Sequence, residues 1–131
     1  MSDSLVIIPT YNEKENIEKL VRTIFSLNKL FHILIVDDGS PDGTADIVKD
    51  LQSKFQDSLF IQERTGKLGL GTAYIHGFKW ALDRDYSYVF EMDAELSRLY
   101  GPIVEKRLCA LADALNLQPE IYVGGDKIEL A

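Results

Sequence analysis

Leu5-Val6-Ile7-Ile8-Pro9 is an unbroken apolar run that a proline stops. A strand buried on both faces reads this way, because helices cover both sides of a parallel sheet and leave no solvent face. Three further runs have strand character. They are Ile33 to Val36, which ends on Asp37-Asp38-Gly39, Ser58 to Gln62, and Tyr86 to Met92, which ends at Asp93.

Helical spacing fills the gaps between these runs. Ile17, Leu20, Val21, Ile24 and Leu27 recur at helical intervals, with Glu15, Glu18, Lys19 and Arg22 between them, and Asn12 or Glu13 can open this helix. Ser40-Pro41 reads as an N-cap followed by proline at the first helical position. That helix is expected to run to about Phe55 and to bury Ile47, Val48, Leu51 and Phe55. A glycine-rich loop, Gly66-Lys67-Leu68-Gly69-Leu70-Gly71, leads into a third helix with Tyr74, Phe78, Ala81 and Leu82 on one face. Strand and helix alternate, which predicts βαβ units with right-handed crossovers and a mostly parallel sheet. The expected class is a Rossmann-like α/β fold. Downstream, Pro102 can start a helix carrying Val104, Leu108, Leu111 and Leu115. Ile121 to Val123 and Lys127 to Leu130 flank Gly124-Gly125-Asp126 and predict a hairpin.

Bulk properties narrow the class. A chain of 131 residues is expected to form a single domain, 1–131. Its 46% hydrophobic and 27% charged residues are those of a soluble globular protein. No apolar run has the length of a membrane span. Met1-Ser2-Asp3-Ser4 has no basic n-region, so no signal peptide is expected. The one cysteine, Cys109, excludes an internal disulfide and suits a reducing, cytoplasmic setting; a small, partly buried helix residue is its expected role. A net charge of −7 argues against a nucleic-acid partner and against simple docking on anionic lipid. An anionic substrate on so acidic a chain would need a cation between the two.

Ligands of open α/β sheets bind beyond the carboxyl ends of the strands. The four strands deliver Pro9-Thr10-Tyr11-Asn12-Glu13, then Asp37-Asp38-Gly39, then Arg64 with the glycine-rich loop, then Asp93 and Glu95. Side chains alternate along extended backbone, so Asp93 and Glu95 can face one way and offer hard oxygens to Mg²⁺ or another divalent cation. A nucleotide pocket follows, with Tyr11 against a base, Asp38 on base or ribose, and Asp93 toward a metal-bound diphosphate. The turn after the first strand has no glycine. That excludes both a P-loop and a dinucleotide fingerprint. His76 sits about a turn inside its helix and is expected to pack or hydrogen-bond. Asp42 is read as a helix-start residue, and Trp80 and Phe78 as core or interface.

Four linked stretches carry a family likeness. They are Ile7-Ile8-Pro9-Thr10-Tyr11-Asn12-Glu13, Ile35-Val36-Asp37-Asp38-Gly39-Ser40-Pro41-Asp42-Gly43-Thr44, Lys67-Leu68-Gly69-Leu70-Gly71-Thr72-Ala73-Tyr74-Ile75-His76-Gly77 and Met92-Asp93-Ala94. In this order and spacing the chain, from about Leu5 to Ala94, closely resembles the dolichyl- or polyprenyl-phosphate mannosyltransferases, family 2 glycosyltransferases of GT-A fold. The resemblance implies a nucleotide-sugar donor, typically GDP-mannose, with a UDP-hexose as the other option. It implies that Pro9, Tyr11, Glu13, Val36, Asp38 and Arg64 line the nucleotide site. It places Asp93 and Ala94 on the first two positions of the family's D-x-D, which holds Mg²⁺ or Mn²⁺ at the diphosphate and makes Asp93 the catalytic residue. The implied chemistry is inverting transfer of a hexose to a polyprenyl-phosphate lipid, by a protein that is cytoplasmic or peripheral at the membrane.

The likeness changes after Ala94. Glu95 stands where the family has a second Asp, as a second metal ligand or as the start of the next helix. Gly101 to Ala131 carry no wording of the family's acceptor side. Residues 1–95 are therefore expected to be the donor-binding half and 96–131 an atypical tail of helix plus hairpin. Two alternatives to the enzyme follow: a truncated or recombined nucleotide-sugar-binding module without turnover, and a structural product that self-associates as a homo-oligomer through apolar surface left uncovered.

Overall fold

The computed structural model describes residues 2–27, 30–66, 68–94, 121–123 and 126–128. The elements run β1 (Ser4–Thr10), α1 (Ile17–Phe25), β2 (His32–Asp37), α2 (Thr44–Gln52), β3 (Leu59–Glu63), α3 (Leu70–Leu82), β4 (Tyr88–Glu91), β5 (Ile121–Val123) and β6 (Asp126–Ile128). They form one six-stranded sheet in the order β3-β2-β1-β4-β5-β6. Every neighbouring pair is parallel except β5 with β6. The expected mostly parallel α/β class is what the chain adopts.

The apolar runs are continuous because both faces of the sheet are covered. Alternation sends Val6, Ile8, Ile33 and Ile35 to one face, against Ile17, Leu20, Val21 and Ile24 of α1 and Val48 and Leu51 of α2. Leu5, Ile7, Leu34 and Val36 go to the other, against Ala73, Trp80 and Ala81 of α3. Gly77 brings α3 down onto β1, since a Cβ there would sit 2.6 Å from Ile7 Cγ2.

Several boundaries differ from those the sequence predicts. Asn12 has a left-handed φ of 56°, so α1 cannot begin there and starts at Ile17. Ser40 is drawn back to Asp37 and does not cap α2; that helix starts at Thr44 behind Gly43, whose φ is 90°, and ends at Gln52, short of Phe55. Pro9 stays within β1, level with Val36 of β2. β3 ends at Glu63, one residue later than read, and β4 spans Tyr88–Glu91 only. Leu82 is 81% exposed and lies off the buried face of α3. The backbone is already helical at Ala94. Glu95, Cys109 and the helix expected after Pro102 lie outside the described residues.

The hairpin is present as β5 and β6, with Ile121 level with Ile128. Its first strand adds to the sheet beside β4, with Phe90 level with Tyr122. None of the helices among the described residues is long and apolar enough to cross a membrane.

Candidate functional site

The chain winds outward from β1 to β2 and β3, then returns to add β4 on the other side of β1. Carboxyl ends diverge at such a reversal and leave a crevice. A cleft of about 200 Å³ lies there, lined by Pro9, Thr10, Tyr11, Glu13, Asp38, Gly69, Leu70, Asp93 and Ala94. A wider hollow of about 430 Å³ shares Tyr11 and Glu13 but is otherwise walled by Asn12, Lys14, Glu15, Asn16 and Asp42. The smaller one is the better site, because ends from three strands and the start of α3 converge on it.

Its walls are tied together through the β2–α2 turn. Successive backbone N–H groups after Tyr11 donate to that turn: Asn12 to Ser40 Oγ (2.9 Å), Glu13 to Thr44 Oγ1 (3.1 Å) and Lys14 to Asp42 Oδ2 (3.0 Å). Burial disfavours the charge on Asp42. The Thr44 hydroxyl and the N–H groups of Lys14 and Thr44 outweigh it, and the carboxyl sits below the usual range. Asp42 therefore fastens this corner and starts α2. The Asn16 amide donates to the Ala94 carbonyl (2.8 Å) and ties the start of α1 to the end of β4.

Two consecutive carboxylates divide their work. Asp37 is buried and accepts from the Thr10 hydroxyl (2.7 Å), the Ser40 N–H (2.9 Å) and the Ser40 hydroxyl (2.6 Å). Asp38 lines the cleft. It accepts from Arg64 Nε (2.7 Å) at one oxygen and from the Leu68 N–H (3.2 Å) at the other. Arg64 also donates to Thr72 Oγ1 (3.0 Å) and to the Gly69 carbonyl (3.1 Å).

The cleft thus brings together Pro9, Tyr11, Glu13, Asp38, Asp93 and Ala94 of the residues read from the sequence. Arg64 stands beside it, bonded to the walls. Val36 is wholly buried in the α3-side core and does not line the cleft. His76 is 3.4 Å from Gln62 Oε1 and is not among the lining residues, and Trp80 packs in the core as expected.

Two neighbours escape sequence reading. Burial pushes the Glu91 carboxyl up to about 7. Burial, with the charges of Glu91 and Asp93, raises the Tyr74 phenol. Glu91 was findable, since it ends the apolar run two residues before Asp93. Tyr74 reads only as a core-facing helix residue.

Among the described residues no group of three His, Cys, Asp or Glu side chains is placed to hold a metal ion. The cleft still suits one of a particular kind. Its described walls carry three carboxylates, Glu13, Asp38 and Asp93, and no Lys or Arg. A diphosphate entering it would need a cation. Mg²⁺ characteristically takes one or two carboxylates and completes its shell with water and substrate phosphate.

The sequence profile described as Glycosyl transferase family 2 matches residues 5–98. The chain belongs to glycosyltransferase family 2. This family 2 chain is 42% identical over 121 residues to the polyprenol monophosphomannose synthase of Mycolicibacterium smegmatis, covering 92% of the chain and 44% of the relative. It is 44% identical over 91 residues to the undecaprenyl-phosphate mannosyltransferase of Micrococcus luteus, covering 70% of the chain and 37% of the relative. The chain thus spans less than half the length of either curated relative. Among solved structures it is similar to the mannosyltransferase PcManGT of Pyrobaculum calidifontis in complex with GDP-Man and Mn²⁺, with 29% identity and a TM-score of 0.57 over 60% of the chain and 24% of that protein. S. aureus TarS in complex with UDP-GlcNAc shares the fold, with 24% identity and a TM-score of 0.60 over 79% of the chain and 30% of that protein.

Proposed function

We propose that this family 2 domain binds a nucleotide diphosphate sugar, GDP-mannose or a UDP-hexose, and serves transfer of the hexose to a polyprenyl or dolichyl phosphate. The observation that carries this is the cleft at the strand-order reversal, where Tyr11, Asp38 and Asp93 arrive from three strand ends. Tyr11 offers a part-exposed ring to the base. Asp38 keeps acceptor capacity for base or ribose hydrogens beyond its two internal bonds. Pro9, Glu13 and Ala94 complete the walls. Asp93, with Glu95 as a second ligand, would hold Mg²⁺ or Mn²⁺ at the diphosphate. The bound ion would neutralise charge on the leaving group. The names of the curated relatives and the GDP-Man and Mn²⁺ of the PcManGT complex support this choice of donor, metal and acceptor.

In the proposed reaction a phosphate oxygen of the acceptor attacks the anomeric carbon opposite the leaving group. The new C–O bond forms as the bond to the nucleoside diphosphate breaks, and the configuration inverts. An ionised phosphate has no proton to surrender, so no general base is required. Such an acceptor puts the work at a membrane surface, with the domain peripheral on the cytoplasmic side.

Radiolabelled GDP-mannose, a polyprenyl phosphate and Mn²⁺ test the reaction, with a labelled lipid as the expected product. The cleft's walls come from the proposed donor side of the sheet, and the second reading is a donor-binding module without turnover. Calorimetry separates the two. Nucleotide-sugar binding that Asp38→Ala or Asp93→Ala abolishes, with no lipid product, selects the module. Absence of any nucleotide binding refutes both.

A further inference from the structure

The geometry points to Arg64 as a positioning residue that aims Asp38 at the ligand from behind the cleft wall. It does not contact the diphosphate. This inference rests on the donor-site reading above and deepens it.

The guanidinium is committed on three sides. Nε meets Asp38, Nη1 meets Thr72 Oγ1 and Nη2 meets the Gly69 carbonyl. The side chains of Arg64 and Asp38 are each only 9% exposed. Two of the segments it joins, Asp38 and Gly69-Leu70, line the cleft, whereas Arg64 does not. Its own backbone N–H donates to the Asp37 carbonyl at 2.7 Å, which anchors the strut at its base. Gly39 makes the close approach possible. It has a φ of 69°, and a Cβ there would lie 3.0 Å from the Gly66 nitrogen.

The consequence is specific. The guanidinium, itself held by Thr72 and Gly69, fixes one oxygen of the Asp38 carboxylate through Nε, and the Leu68 N–H holds the other, so the two bonds together set its orientation. Only the remaining lone pairs can read a ligand, and Arg64 shares in setting their direction. Lysine can keep the charge but cannot span three acceptors at once. Loss of Arg64 should therefore blunt recognition of whatever Asp38 reads, which is base or ribose, whatever the number of phosphates.

The test is calorimetric titration of the full chain with a nucleoside, its monophosphate and its diphosphate, in the guanosine and uridine series with Mn²⁺ present. Arg64→Gln and Arg64→Lys are compared with Asp38→Asn and with the double variant. The series whose diphosphate binds the wild-type chain is carried forward. Arg64→Gln is expected to weaken all three of its ligands by a similar factor, about tenfold, as for loss of one hydrogen bond to a charged group. Arg64→Lys should weaken them by a like factor. The Asp38→Asn/Arg64→Gln double variant should be little worse than Asp38→Asn alone, because the two act as one unit. A loss that grows from nucleoside to diphosphate would show direct phosphate contact and overturn the inference, as would additive effects in the double variant. Circular dichroism and amide exchange at the Leu68 N–H accompany each titration. If Arg64→Gln unfolds the chain, Arg64→Lys carries the same comparison. A wild-type chain that binds no nucleotide overturns the donor-site reading itself, which is a different result from a wild-type chain that binds while its Arg64 variants show the wrong pattern.

Discussion

At the residue scale, the carboxylates at the strand ends differ in their surroundings. Asp37 and Asp38 are neighbours in sequence, but only Asp38 lines the cleft. Asp37 is buried and accepts three hydrogen bonds, so it serves the fold. Asp37→Ala strands the Thr10 hydroxyl and the Ser40 N–H, and should cost about 3 kcal/mol, as breaking a buried charged network does. Urea denaturation checks this, and a cost under about 1 kcal/mol would contradict the role. Glu91 answers to pH. Its folded value of about 7 lies above the ordinary 4.5. A raised carboxyl contributes its stability fully below pH 4.5 and loses it as pH rises through about 7. Glu91→Gln removes the charge that burial opposes. It should raise the melting temperature at pH 8 and change it little at pH 4. Melts at the two pH values decide it, and an equal shift at both would point to packing instead.

At the element scale, periodicity located helices and strands well and their ends poorly. The ends are set by groups that only the fold brings near. Ser40 looks like a cap for α2, but its hydroxyl and N–H both go to Asp37. Asn16 stands at the N-terminal boundary of α1, yet its amide reaches the Ala94 carbonyl. α3 shows how helix and sheet fit. Gly77→Ala would put a methyl 2.6 Å from Ile7 Cγ2, and overpacking of this kind costs about 1–3 kcal/mol. That exceeds the gain of up to about 1 kcal/mol in helix propensity. Gly71→Ala is the control, since nothing lies within 4 Å of a Cβ there. Gly77→Ala should therefore destabilise and Gly71→Ala should not. Equal effects in denaturant melts would refute the close α3–β1 contact.

At the scale of the whole molecule, charge and topology act together. The chain carries −7, and the described cleft walls hold three of its carboxylates and no cation. Removal of divalent metal should weaken binding of a nucleoside diphosphate about tenfold or more, while the free nucleoside changes by less than about twofold. Calorimetry with and without EDTA measures both, and parallel losses would argue against a diphosphate-bound ion. Strand β5 extends the sheet on the far side of β4, a placement that hairpin wording alone does not reveal. By itself, the sequence determined the succession of strands and helices, the burial of both sheet faces, and the strand-end positions of Tyr11, Asp38 and Asp93. Those follow from spacing and turn chemistry among near neighbours in the chain. Only the tertiary structure decided that Arg64 pairs with Asp38 across 26 residues, that Asp37 holds Thr10 across 27, and that Asn16 meets Ala94 across 78. A side chain's partner is chosen by what folding brings within about 3 Å of it, and that distance is not written in the local sequence.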